Sequence, residues 1–264
     1  MAPPADAPPA TGSTAAPPAE SVSTRLIKLA KTLQFAWFTG HVFVLVGVLF
    51  YVLSAIRFAP GTSWARFWYR ETYFSVIATY GIVLYRSYRA STPTATTIIR
   101  DDNVQYLFIA LLWLISKPLL ITLPPFAIYS FFHVLTYTRT NLLPTLGQPT
   151  TTGPAAQIQS FVDNYNDKFT ALVGNLELVL LVRLFFNAIL FRKGSWISLI
   201  IYGAFIRLRF EQSAFTRQAV KNWEVRADSL IAHPSVPAGV KNGWEKAKAT
   251  LKGGSAVPPV SKTQ

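Results

Sequence analysis

Apolar residues in this chain gather into long runs, and the runs come in pairs, a long one followed by a shorter one. Residues 35–56 form the first, apolar and uncharged apart from His41. As a helix they would extend about 33 Å, enough to cross a hydrocarbon layer of roughly 30 Å. Arg57 ends the run. Trp64, Phe67, Trp68 and Tyr69 then interleave with Arg66 and Arg70, the composition of a membrane–water interface. Residues 73–85 are apolar but short for a perpendicular span, and residues 92–97, around Pro93, read as a polar loop. The second long run, residues 104–123, is interrupted by Lys117-Pro118, broken by Pro124-Pro125, and followed by an apolar return over residues 126–137. Long helix, proline break and short return predict a membrane hairpin. After a Thr-, Pro- and Gly-rich loop over residues 139–156, Phe161, Tyr165 and Phe169 recur at i, i+4 and i+8 and predict a helix over residues 157–169. The third long run, residues 172–191, meets a tight turn at Arg192-Lys193-Gly194-Ser195 and returns over residues 196–210. No sequence repeat underlies the three pairs.

The flanks are different. Residues 1–22 are Ala- and Pro-rich and predict a disordered tail. They hold no basic patch before a short apolar core, so no cleavable leader is expected and the first run acts as an uncleaved signal-anchor. Residues 21–31 predict a helix capped by Ser21 or Ser23. It carries Val22, Leu26, Leu29 and Leu33 on one face and Arg25, Lys28 and Lys31 off it, the pattern of a helix lying in the headgroup layer. These features set the domains as a tail (1–22), a membrane domain (23–210), a basic amphipathic tail (211–252) and a disordered end (253–264). Within the basic tail, Phe215, Ala219, Trp223, Ala227 and Leu230 line one helical face, and Pro234 and Pro237 break the helix. Val240, Trp244, Ala247 and Leu251 form a second thin stripe, beside Lys241, Lys248 and Lys252. Both stripes suit a membrane surface, with about 1 kcal/mol from each basic residue near an anionic leaflet. The competing expectation is that they pack on the protein itself or on a partner.

Composition narrows the class. Of 264 residues 51% are hydrophobic and only 14% charged, with a net charge of +13. An average soluble domain carries about a quarter charged residues. With apolar runs this long, the basic balance points to anionic membrane rather than nucleic acid. The expected fold is all-α and polytopic. Basic tails place both termini in the cytosol and require an even number of full crossings. The middle loops do not settle the rest: Arg57, Arg66 and Arg70 lie before the second apolar segment, and Arg86, Arg89 and Arg100 after it.

Chemistry is sparse. There is no cysteine, which excludes disulfides, thiolate metal sites and a cysteine nucleophile. His41, His133 and His233 are far apart in sequence, without metal-ligand spacing. The Asp163-x-x-x-Asp167 spacing lacks the glycine and terminal glutamate of a calcium loop. Neither a phosphate-binding loop nor a nucleophile elbow is present, nor an Asn-x-Ser/Thr sequon. No enzyme activity and no cofactor are therefore expected. The polar residues that stand out are inside the third long run: Asn175, Glu177 and Arg183. A transporter would use such groups as a relay. The simpler expectation is polar anchoring or helix–helix contact, because Glu177 and Arg183, six apart, lie on different faces.

Several strings in fixed order carry a resemblance. Asp102-Asn103-Val104-Gln105-Tyr106 opens the second run, and Phe132-His133-Val134-Leu135-Thr136-Tyr137-Thr138 closes its return. Asn175-Leu176-Glu177 and Gly194-Ser195 follow, then Tyr202, Phe205, Leu208 and Arg209, then a basic tail with Ile231 and Pro234. Over about residues 25–235 this set resembles the transmembrane protein 33 family, with its fungal nuclear-pore-membrane and tetra-spanning members. The resemblance implies residence in the endoplasmic reticulum membrane and nuclear envelope, with roles in membrane shape and in nuclear pore distribution or assembly. It implies reticulon-type proteins, nucleoporins and an import receptor as partners, beside the lipid bilayer itself; self-association is left open. Two rivals stand beside this expectation: a small transporter or channel subunit using Glu177 and Arg183, and an adaptor recruiting soluble partners through its basic tail.

Overall fold

Thr32 and Thr62 start the two helices that open the membrane domain of this computed structural model, which describes residues 20–89 and 92–253. The expected tail before residue 20 and the end beyond residue 253 lie outside the described residues. A short helix α1 (Val22–Ala30), capped by Ser21, leads into α2 (Leu33–Ile56), whose Phe35 amide donates to Thr32 Oγ1 at 3.1 Å. In the same way the Ala65 amide donates to Thr62 Oγ1 at 3.2 Å, and α3 runs over Ser63–Tyr88. Its 26 residues correct the expectation of a short second segment. The aromatic and basic residues 64–70 are good enough helix formers, with no Gly or Pro among them, so the helix outlasts its apolar stretch. Small residues let α2 and α3 approach closely. A Cβ built on Gly47 would lie 2.3 Å from Thr72 Oγ1, and one on Gly40 would lie 2.5 Å from Thr79 Cγ2.

After α4 (Ala95–Arg100), Asp101 caps α5 (Asp102–Ile115). The expected long run therefore ends early. Pro118 forbids helical continuation and drives Lys117 toward extended backbone, so the chain turns at 116–123. A single 3₁₀ turn, Leu120–Thr122, is pinned there by α3: the Tyr73 hydroxyl donates to Thr122 Oγ1 at 2.6 Å, and the Tyr69 hydroxyl lies 2.9 Å from the same oxygen. Helix α6 (Pro124–Tyr137) then returns, with prolines in its first turn where missing amides do no harm. Helix α5, with 14 residues, is about 21 Å long and short of a hydrocarbon layer of roughly 30 Å, whereas the return continues as helix to residue 145.

A π-type turn (Thr138–Leu142) and α7 (Leu143–Thr145) lead to α8 (Gly153–Ile189), which joins the two expected segments 157–169 and 172–191 into one helix of 37 residues. Its first half is polar and extends beyond the apolar part. The chain reverses where Gly194 adopts φ +79°, a left-handed conformation suited to glycine, and α9 (Ser195–Gln212) returns. The tail forms α10 (Ala214–Ile231) and α11 (Ala238–Gly253).

Ring and side-chain contacts fix how the pairs stand together. Tyr80, late in α3, stacks on Tyr106, early in α5, with centroids 6.0 Å apart. Phe205, late in α9, lies 5.4 Å from the same ring, and Trp113 lies 5.7 Å from Tyr202. Phe38, early in α2, stacks on Tyr137, late in α6, at 4.5 Å. The pairs α2–α3, α5–α6 and α8–α9 are thus three hairpins opening the same way. Their turns, at residues 57–62, 116–123 and 190–194, lie at one end. Helix α1, the start of α8 and the helical tail lie at the other. An all-α, polytopic architecture follows, and three helical stretches are long and apolar enough to cross a membrane: Leu33–Ile56, Leu120–Thr145 and Gly153–Ile189.

Candidate functional site

The strings that carry the family resemblance converge in space. Asp102 and Tyr106 from α5, Glu177 from α8 and Arg209 from α9 meet near the open end of the hairpins. Glu177 is 1% exposed, and its Oε1 accepts from the Tyr106 hydroxyl at 2.7 Å. Arg209 Nη1 pairs with Asp102 Oδ1 at 2.9 Å, while its guanidinium lies 5.1 Å from the centre of the Tyr106 ring. The Tyr129 hydroxyl of α6 is 3.1 Å from that of Tyr106. Gln212 closes the edge: its amide donates to the Arg100 carbonyl at 2.9 Å and to Asp102 Oδ1 at 3.0 Å. Gln105 Nε2 serves two acceptors, the Ile99 carbonyl at 2.8 Å and Gln212 Oε1 at 2.9 Å. One network thus joins α5, α6, α8 and α9, and within it Glu177 Oε2 and Arg209 Nε are buried without a hydrogen-bond partner.

Asn175 and Glu177, two residues apart on α8, face different neighbours. The Trp223 indole N–H donates to Asn175 Oδ1 at 3.0 Å, which holds α10 on α8. Ala219 is buried, and the backbone of Phe215 passes Gly174 closely enough that a Cβ there would lie 3.4 Å from its carbonyl oxygen. Arg183, by contrast, is exposed on the flank of α8 and lies apart from the network.

The second tail helix folds back on the first. Asp228 Oδ1 accepts from the Trp244 indole N–H at 2.7 Å and from Lys248 Nζ at 2.7 Å, and Lys248 also pairs with Glu245 at 2.8 Å. Those hydrogen bonds to Asp228 and Glu245 raise the Lys248 pKa. Of the residues expected at the membrane surface, Leu230 and Val240 stand exposed and Lys241 half-exposed; Phe215, Trp223, Trp244 and Lys248 are half-buried within the tail and its dock. The side chains of Leu251 and Lys252 lie outside the described residues. Asp228 is the residue the sequence did not single out.

The histidines also come out differently from their sequence separation. His41 and His133 stand with ring centroids 4.7 Å apart between α2 and α6, His41 Nδ1 lies 2.9 Å from Ser130 Oγ, and Trp37 packs edge-on against both rings. Among the described residues no group of three or more His, Cys, Asp or Glu is placed to hold a metal ion.

Comparison with known proteins agrees with the resemblance. The model of the Transmembrane protein 33/Nucleoporin POM33 family matches residues 16–254. The chain is 39% identical to Nucleoporin POM33 of Chaetomium thermophilum, over 93% of this chain and 94% of that one. It is 34% identical to Pore membrane protein of 33 kDa of Saccharomyces cerevisiae (88% of this chain, 87% of the relative). To Tetra-spanning protein 1 of Schizosaccharomyces pombe it is 36% identical, over 89% and 88%. No solved structure matches the chain.

Proposed function

The chain belongs to the Transmembrane protein 33/Nucleoporin POM33 family, and from that premise we propose that it organises and shapes the membrane of the endoplasmic reticulum and nuclear envelope, with a role in placing or assembling nuclear pores. Relatives named for the pore membrane and for the endoplasmic reticulum support the location. The observation that carries the mechanism is the sidedness of the hairpins. Three turns gather at one end, while α1, the polar half of α8, α10 and α11 gather at the other. The short arm α5, about 21 Å, adds bulk unevenly between the two leaflets. Interfacial helices on the tail side add area to that leaflet alone, which is the asymmetry that bends a bilayer.

The tail side is the cytosolic side in this proposal. It carries Arg25, Lys28, Lys31, Arg86, Arg89, Arg100 and Arg139 as well as the basic tail, against Arg57, Arg66, Arg70, Lys117, Arg192 and Lys193 at the turn end, so the basic tail tips the balance. Membrane contact by the tail is assigned to Leu230, Val240 and Lys241 in the docked form, with Phe215, Trp223, Trp244 and Lys248 joining when the helices part; Leu251 and Lys252 extend the second stripe. Anionic lipid is the surface they meet. Nucleoporins, reticulon-type proteins and an import receptor remain the proposed protein partners.

Removing residues 213–264 tests this function against its two rivals. Loss of pore-membrane localisation or of membrane shaping supports it. A transporter built on Glu177 and Arg183 would keep its flux, and an adaptor would lose a soluble partner while membrane shape stayed the same.

A further inference from the structure

Beside the turn end, α3 and α5 enclose an open groove of about 550 Å³ lined by Arg66, Phe67, Arg70, Glu71, Phe74 and Leu114. Phe67 and Phe74, 57% and 70% exposed, form its apolar wall with Leu114, beside the charged Arg66, Arg70 and Glu71. Arg66, Arg70 and Phe74 follow one another at i, i+4 and i+8 along α3, so two guanidiniums stand in a row above an apolar wall. Arg66 is turned back toward its own loop, donating to the Gly61 carbonyl at 2.6 Å and to Ser63 Oγ at 3.1 Å. Arg70 is exposed, and among the described residues it makes no hydrogen bond or ion pair. The neighbouring carboxylate does not neutralise it. Glu71 turns toward α2, where Oε1 accepts from Ser75 Oγ at 2.7 Å and Oε2 lies within 2.5 Å of a Cβ position on Gly47.

Arg70 therefore sits two turns into α3, in the interfacial stretch that precedes its apolar part, exposed and without a protein counter-ion among the described residues. A guanidinium at the interface stands at the level of the lipid phosphates and pairs with them directly. A free anion would leave the apolar walls in contact with water or lipid chains alone. We infer that the groove seats one anionic glycerophospholipid, its phosphate held by Arg70 with Arg66 beside it, and an acyl chain lying along Phe67, Phe74 and Leu114. The fork of the guanidinium suits a phosphate oxygen pair, and the groove volume suits the upper part of one chain.

The test uses the purified full chain in detergent micelles, stripped of lipid, with native mass spectrometry and thermal unfolding as readouts. Dioleoyl phosphatidic acid is the probe. Dioleoylglycerol supplies the same chains without phosphate, and inorganic phosphate supplies the anion without chains. One phosphatidic acid per chain should be retained, with a rise in Tm that neither control reproduces. Arg70→Gln should weaken retention roughly tenfold or more, the loss expected for one charge-assisted contact. Leu114→Trp, which fills the groove without touching charge, should weaken it as well, while Arg86→Gln on the far end of α3 should not. Circular dichroism of each variant separates loss of binding from loss of fold. Equal retention of dioleoylglycerol would overturn the inference, as would undiminished retention by folded Arg70→Gln and Leu114→Trp. A full shift from inorganic phosphate alone would make the site a simple anion site and overturn it too.

Discussion

Trp223 and Trp244 look interchangeable on the helical stripes of the tail, yet each indole N–H has its own acceptor. Trp223 donates across to Asn175 on α8, and Trp244 donates within the tail to Asp228. A half-buried indole that loses its acceptor leaves an unpaired donor, at about 1–3 kcal/mol. Asp228→Ala should therefore free α11 alone: protease cleavage beyond residue 231 becomes faster, while α10 stays docked. If cleavage is unchanged, Asp228 is not the clasp. The dock itself can be trapped. A Cβ on Gly174 would lie 3.6 Å from Ala219 Cβ, inside the span a disulfide bridges, and the natural sequence has no cysteine to compete. The pair Gly174→Cys with Ala219→Cys should close under mild oxidation in the intact membrane protein. Failure to cross-link would mean that α10 does not rest on α8. Glu177→Gln keeps an acceptor for Tyr106 and removes only the charge. Localisation should persist, and liposomes holding purified protein should show no solute or ion flux before or after the change. A flux abolished by this substitution would move the transporter reading ahead.

At the scale of helices, the hairpins depend on how closely their arms approach. Gly47 has Thr72, Glu71 and the Trp68 carbonyl within 3.2 Å of any added Cβ, while Gly81, on the same pair of helices, has nothing within 4 Å. Gly47→Leu should destabilise by about 1–3 kcal/mol through overpacking. Gly81→Ala should stabilise by about 0.5–1 kcal/mol through helix propensity and loss of unfolded-chain freedom. Thermal unfolding in detergent reads both signs, and a common sign would show that proximity at Gly47 is not what matters. The hydropathy pattern located every apolar segment, because burial in lipid needs an unbroken apolar run. It misjudged helix lengths, because helices continue past their apolar part wherever a cap such as Thr62 and ordinary helix formers allow. It also treated Lys117-Pro118 as an interruption where the chain turns, since a proline's effect on direction depends on what packs against the turn; here that is Tyr69 and Tyr73. The network around Glu177 was only half legible. Glu177 stood out as a charge in an apolar run, but Asp102 and Arg209 sit 75 and 32 residues away and are joined to it by folding alone.

For the whole molecule, the three hairpins share one direction, which the loop charges did not indicate. Both ends of α3 are basic, so counting charges loop by loop gives no alternation, whereas the common direction of the hairpins places every turn on one side. Single cysteines introduced at Arg57, Lys117 and Lys193 should share one accessibility in sealed microsomes, and those at Arg89, Thr152 and Ser235 should share the other. Lys117 siding with the second group would mark α5–α6 as a re-entrant hairpin that stops short of the far surface. The proposed shaping function rests on the same sidedness: with the tail helices in one leaflet and the turns at the other, that proposal predicts membrane convex toward the tails. The most direct test is the distribution of the labelled full chain between the flat wall of a giant vesicle and a thin tube pulled from it, with the tail side outward. The account predicts enrichment in the tube that grows as the tube narrows and falls when residues 213–264 are removed. Equal density on tube and wall at every radius would contradict it.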